Sequence, residues 1–194
     1  MSPAQRKLVE SIGFGGLLSI GSAELPSGIS KWLIKNFDSE LAQLVIPGRG
    51  RIAITAESVH NILGLPLGKN KVVYDLDGQA INFINGKYGL AEGKAPSISY
   101  VVGVLGENKE ADDDYLRLWL ILAVSTFLCP STSLSISPKS YGALLDLGSV
   151  KGYNWCQFVV DSLKTSVMKM QKRNSVQGCL FFLLVSGRHI LFVF

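Results

Sequence analysis

Cysteine, histidine and charge are all scarce in this 194-residue chain, which has three cysteines, two histidines and 18% charged residues. Cys129, Cys156 and Cys179 are odd in number, widely spaced and set among apolar neighbours. That pattern fits free buried thiols and excludes a disulfide framework. With no CxxC pair, and only His60 and His189 to complement the thiols, a structural zinc site is not expected. Long apolar runs are also missing. Leu116–Leu128 carries Arg117, Cys179–Val185 is shorter, and neither approaches the ~20 residues of a membrane span. The polar start, Met1-Ser-Pro-Ala-Gln-Arg-Lys, leads straight into an amphipathic pattern and is no secretory signal. What is abundant is apolar side chain, 47% of the total. That share supports one globular core and argues against disorder.

Acids are scarce in the C-terminal third. From Lys139 onward seven basic residues face two acids, Asp146 and Asp161, whereas 12 basic and 13 acidic residues precede them. Lys and Arg in such an excess offer phosphate or an acidic partner a footprint. Lys169, Lys172 and Arg173 equally suit the negative C-terminal end of one helix dipole.

Period and punctuation predict a mainly α, single globular domain of about eight helices, with one short β-hairpin near residues 44–54. Ser2-Pro3-Ala4-Gln5 reads as a capping box with proline at the first helical position, and Gly13 can close that helix. Ile29, Trp32, Leu33 and Phe37 recur at helical spacing. Leu44–Ile46 and Arg51–Ile54 flank the turn Pro47-Gly-Arg-Gly50 as two strands. Thr55 caps a helix that Gly64 ends. Lys69 to Asp75 reads as a linker or short extended piece. Asp77 opens a helix that stops at Gly89, and Ser97 caps the next. Tyr115–Leu128, apolar nearly all round, predicts a central buried helix stopped at Cys129-Pro130. Ser137-Pro138 opens a helix through Tyr141, Leu144 and Leu145. Asn154 caps the longest amphipathic run, with Trp155, Phe158, Val159, Leu163 and Val167 facing inward. Cys179–Val185 gives a last apolar helix. Residues 1–185 form the domain on this reading, and 186–194 an apolar tail ending Ile190-Leu-Phe-Val-Phe194, the mark of a truncated gene product.

Candidate chemistries are few. Gly13-Phe-Gly-Gly16 lacks the preceding strand and GKS/T ending of a phosphate loop, so it reads as a structural turn. No lysine, pyridinium partner and phosphate cup assemble for a pyridoxal enzyme, and no cofactor is expected. Gln177-Gly178-Cys179 resembles an oxyanion glutamine before a nucleophile. Yet the Leu-Phe-Phe-Leu-Leu-Val that follows would bury Cys179 and raise its pKa. Asp112–Asp114 cannot converge on one metal pair, because consecutive helical residues point about 100° apart, and they suit an N-terminal cap. Pro47-Gly-Arg-Gly-Arg51 makes a good hairpin turn, or it presents two arginines to a minor groove. The candidate contact residues are therefore Arg49, Arg51, Lys164, Lys169, Lys172 and Arg173.

Several blocks, taken in order, resemble the plant mobile domain family, often labelled "aminotransferase-like". They are Ile12-Gly-Phe-Gly-Gly-Leu-Leu18, Lys31-Trp-Leu33 with Asn36-Phe-Asp38, and Leu44-Val-Ile-Pro-Gly-Arg-Gly-Arg51. Ser58-Val-His-Asn-Ile-Leu-Gly-Leu-Pro66, Ser125-Thr-Phe-Leu-Cys-Pro-Ser131, and Asn154-Trp-Cys-Gln-Phe158 followed by Gly178-Cys-Leu-Phe-Phe182 complete the series. The match is close to the grass-genome branch, which often sits ahead of a SUMO-protease-type cysteine peptidase domain in transposon-derived genes. The resemblance implies a non-enzymatic interaction module, nuclear or alternatively cytoplasmic, linked to transposon silencing and genome stability, with an unidentified protein partner. It carries over no catalytic residue. The alternatives it leaves are a nucleic-acid-binding domain using the basic residues, or a remnant of a transposon-associated cysteine peptidase protein. Neither a membrane nor a small-molecule substrate is expected.

Overall fold

The computed structural model describes residues 1–21, 27–89, 95–130, 135–170 and 179–191. Its helices begin where side-chain oxygens can satisfy free backbone N–H groups. In α1 (Pro3–Ser11) the Ser2 and Gln5 side chains cap each other's backbone reciprocally. The Gln5 amide also donates to the Asn108 and Glu110 carbonyls at 3.0 and 2.9 Å, tying α1 to the chain just past α5. After α2 (Ser27–Lys35) come β1 (Phe37–Asp38), β2 (Gln43–Ile46) and β3 (Gly50–Ala53), antiparallel in that order. Then follow α3 (Ala56–Leu63), α4 (Gly78–Tyr88), α5 (Ile98–Glu107), α6 (Asp113–Ala123), α7 (Trp155–Met170) and α8 (Leu180–Leu191). Thr55, Asp77, Ser97 and Asp112 cap α3 to α6 as their positions predict, and Gly64 and Gly89 close α3 and α4 in the left-handed region. The fold is mainly α, with eight α-helices and one small sheet among the described residues.

Four details depart from the expectation. Phe37 leaves the helical stripe for β1, opposite Leu44. Asn36 breaks α2 there, since both its backbone and side-chain N–H donate to the Trp32 carbonyl while its own carbonyl accepts from Val45. The hairpin thereby gains a third strand. Beyond Ala123 the central helix widens into one π-turn, Val124–Leu128, before Cys129. The segment after Pro138 forms short 3-10 turns instead of an α-helix. Finally, α8 runs through Leu191, so residues 186–191 continue a helix, while the rest of the expected tail, 192–194, lies outside the described residues.

The core is built around α6 and α7. Trp155, fully buried, meets Phe14 edge-on at 5.5 Å between ring centres and donates from Nε1 to the Val150 carbonyl at 2.9 Å. Aromatic contacts of this kind are worth about 0.5–1.5 kcal/mol each beyond area burial. The glycine-rich stretch after α1 is structural, as expected. Gly13 sits at φ +83°, and a Cβ on Gly16 would run into the Leu63 carbonyl, so glycine lets this turn lie directly on the end of α3.

Candidate functional site

Two joined grooves run beside α7. The larger, about 500 Å³, is lined by the segment 71–74, by Cys129 and Lys139, and by Phe158, Asp161, Ser162, Thr165, Ser166 and Lys169 of α7. The smaller, about 310 Å³, takes in Lys69, Asn154 and Gln157 and shares Lys71, Val72, Phe158 and Asp161 with the first. The α7 residues follow helical spacing, which sets Phe158, Asp161, Ser162, Thr165, Ser166 and Lys169 on one face. Lys164 falls roughly 130° from the centre of that stripe, at about 100° per residue, and lines neither groove.

The opposite wall owes its place to one glycine. Gly68 donates to the Tyr153 carbonyl at 3.2 Å, and Asn70 exchanges backbone bonds with Gly152 and Asn154 at 3.0 and 2.7 Å. The chain therefore enters the groove pinned against the start of α7. From there burial alternates: Lys71 out, Val72 in, Val73 out, Tyr74 half in, Asp75 out. Tyr74 packs on Phe158 with ring centres 5.3 Å apart, and its hydroxyl contacts Ser137 and Cys129. Burial pushes its phenol above the ordinary range, so it stays a neutral O–H group.

Charge along the two grooves is lopsided. Lys69, Lys71, Lys139 and Lys169 face a single acid, Asp161, whose carboxylate accepts from Gln157 Nε2 at 2.9 Å. The Ser162 hydroxyl is buried in the α7 wall with no hydrogen-bond partner. A lone buried hydroxyl is a cost a ligand oxygen can remove.

Of the selected residues that are described, Lys169 alone lies in the grooves; Lys172 and Arg173 are outside the described residues. Arg49 lies in the β2–β3 turn, between Gly48 and Gly50 at φ +75° and +123°, and Arg51 lies in β3 opposite Val45; they line neither groove. Sequence reasoning places Lys71 in a linker or short extended piece and counts Lys139 only within a charge excess. The strand-like alternation Lys71-Val72-Val73-Tyr74 is the signal that marks the opposite wall.

Two of the three thiols are buried. Desolvation pushes Cys156 and Cys179 up to about 12. His60 is engaged elsewhere, its Nδ1 donating to the Leu65 carbonyl at 2.6 Å. Cys129, half-buried at the groove, is the accessible one. A thiol-reactive dye is expected to label Cys129 in the native protein and Cys156 and Cys179 only after denaturation. Rapid native labelling that survives Cys129→Ser would contradict this burial pattern. Among the described residues no group of His, Cys, Asp and Glu is placed to hold a metal, and no helix is long and apolar enough to cross a membrane.

A family model for a domain of unknown function, DUF8566, matches residues 1–184. The chain belongs to the DUF8566 family. The match spans every element from α1 to the first turn of α8, and with them both groove walls. No curated protein and no solved structure matches the chain. The match thus covers a basic, hydroxyl-bearing groove with an apolar floor.

Proposed function

We propose that this domain is a non-enzymatic interaction module and that the grooves beside α7 hold an acidic segment of a partner protein. The observation that carries the reading is the set of four lysines facing one acid over an apolar floor of Val72 and Phe158. A peptide with alternating acidic and apolar side chains satisfies both features. A nucleic-acid duplex satisfies the charge alone. The high thiol pKa values of Cys156 and Cys179 support a role without a cysteine nucleophile. The resemblance of Ile12–Leu18, Leu44–Arg51 and Ser58–Pro66 to plant mobile domains supports a transposon-derived parent protein and a nuclear setting.

The test is fluorescence anisotropy with a labelled peptide alternating Glu and Val, beside a labelled DNA duplex, each at low and high salt. The triple variant Lys71→Ala/Lys139→Ala/Lys169→Ala is expected to weaken peptide binding roughly tenfold, at about 0.2–1 kcal/mol for each exposed ion pair that the variant cannot form. Peptide binding unchanged in the triple variant would remove the groove from the account. Tight duplex binding with a steep salt slope, abolished by Arg49→Ala/Arg51→Ala, would move the function to the hairpin and to nucleic acid.

A further inference from the structure

Among the described residues, the groove's outer wall has no backbone-to-backbone partner. No backbone hydrogen bond joins Lys71, Val72, Val73 or Tyr74 to another described residue, although Asn70 just before them is bonded on both its N–H and its carbonyl. The isolated bridges Leu67–Asn154, antiparallel, and Asn70–Tyr153, parallel, anchor the chain up to that point. Burial alternates from Lys71 through Asp75, with Val73 65% exposed. A segment that is anchored, alternating and unpaired offers the same N–H and C=O groups as a sheet edge.

Resting on the groove reading above, we infer that Lys71–Asp75 accepts the partner's acidic segment as an added β-strand. Main-chain bonds to this segment give affinity, and alternate side chains of the incoming strand enter the flanking grooves. The chemistry of those grooves selects the residues. Lys71 and Lys169 with the unpartnered Ser162 hydroxyl receive a carboxylate, and Val72 with Phe158 receives an apolar side chain. Lysines at a sheet edge deter pairing with like-charged strands. The lysine excess of the grooves, with Lys69, Lys71, Lys139 and Lys169 against Asp161, selects an acidic strand of another protein as the occupant.

Backbone N-methylation of the peptide tests this without altering the protein. A strand bonds its neighbour through every second residue, so methylation in one phase blocks the bonding edge and in the other leaves it intact. Against the full chain, one of two Glu-Val probes methylated at alternate residues is expected to lose binding roughly tenfold, and the other to keep the parent affinity. If both methylated probes bind like the parent while Lys71→Ala/Lys169→Ala weakens all three, the groove stands and strand addition is wrong. If the parent probe does not bind, or binds the lysine variant equally well, the groove reading falls and this inference with it.

Discussion

Gly68→Ala is expected to destabilise the domain by about 3 kcal/mol or more, and to abolish the groove along with the stability. A Cβ at this position would run into the Gly152 carbonyl and carbonyl carbon, with the Tyr153 carbonyl carbon 2.8 Å away. All three atoms are backbone, so no side chain can turn aside. Relief requires parting Leu67–Asn70 from Gly152–Asn154, and with them four backbone hydrogen bonds: Gly68 to Tyr153, Asn70 to Gly152, Asn154 to Asn70 and Trp155 to Pro66. For a chain of this size the melting temperature should fall by roughly 6–12 °C. Gly86→Ala is the control. It lies exposed in α4 with nothing within 4 Å of its added methyl. Helix propensity predicts stabilisation there by about 0.5–1 kcal/mol. Equal melting of Gly68→Ala and wild type would show that the two segments are not in backbone contact.

Arg117→Met should cost roughly 2–5 kcal/mol, read by urea or thermal unfolding. Arg117 is 7% exposed and sits on α6, yet most of its partners belong to other elements. Its Nε donates to the Leu144 carbonyl at 3.0 Å and its Nη2 to the Leu145 carbonyl at 3.2 Å, both at the 3-10 turns. Nη1 reaches the Tyr88 hydroxyl of α4 at 3.3 Å and Asp114 at 3.4 Å, and the guanidinium lies 5.7 Å from the centre of the Phe83 ring. Methionine nearly keeps the volume but strips donors from two carbonyls. Asp114→Asn, by contrast, should cost under ~1 kcal/mol, because that side chain is 40% exposed and water can replace its partners. The opposite order of these two variants would show that the ion pair, and not the bonds to the carbonyls, holds α6 against the turns.

Signals that act over one turn of chain are legible in the sequence. Ser2, Thr55, Asp77, Ser97 and Asp112 cap, and Gly64 and Gly89 stop, because each acts on backbone groups within four residues. Phe37 is not legible in the same way. Its fate depends on pairing with Leu44 across a turn, and that competes with the helical spacing from Ile29. The 3-10 turns after Pro138 lack a side-chain period long enough to read. Arg117 shows only as an interruption of an apolar run, since its carbonyl partners lie across the core.

The site is half legible for a similar reason. Charge excess points to the C-terminal third and so to Lys169, but charge counted along a chain carries no face. It groups Lys164 with Lys169 although the helix sets them apart, and it passes over Lys71, which reaches the groove only through the contact of Gly68 with Tyr153. The paired arginines of the hairpin draw attention for their composition. Gly48 and Gly50 account for that stretch as a turn.

The most direct test of the groove is an NMR titration of the isotope-labelled chain with the Glu-Val peptide. The account predicts that amide shifts concentrate at Lys71–Asp75 and on the α7 face carrying Ser162, Thr165 and Lys169, with the turn at Arg49 and Arg51 unmoved. Shifts centred on the hairpin, or spread evenly over exposed lysines with 71–75 silent, would contradict it.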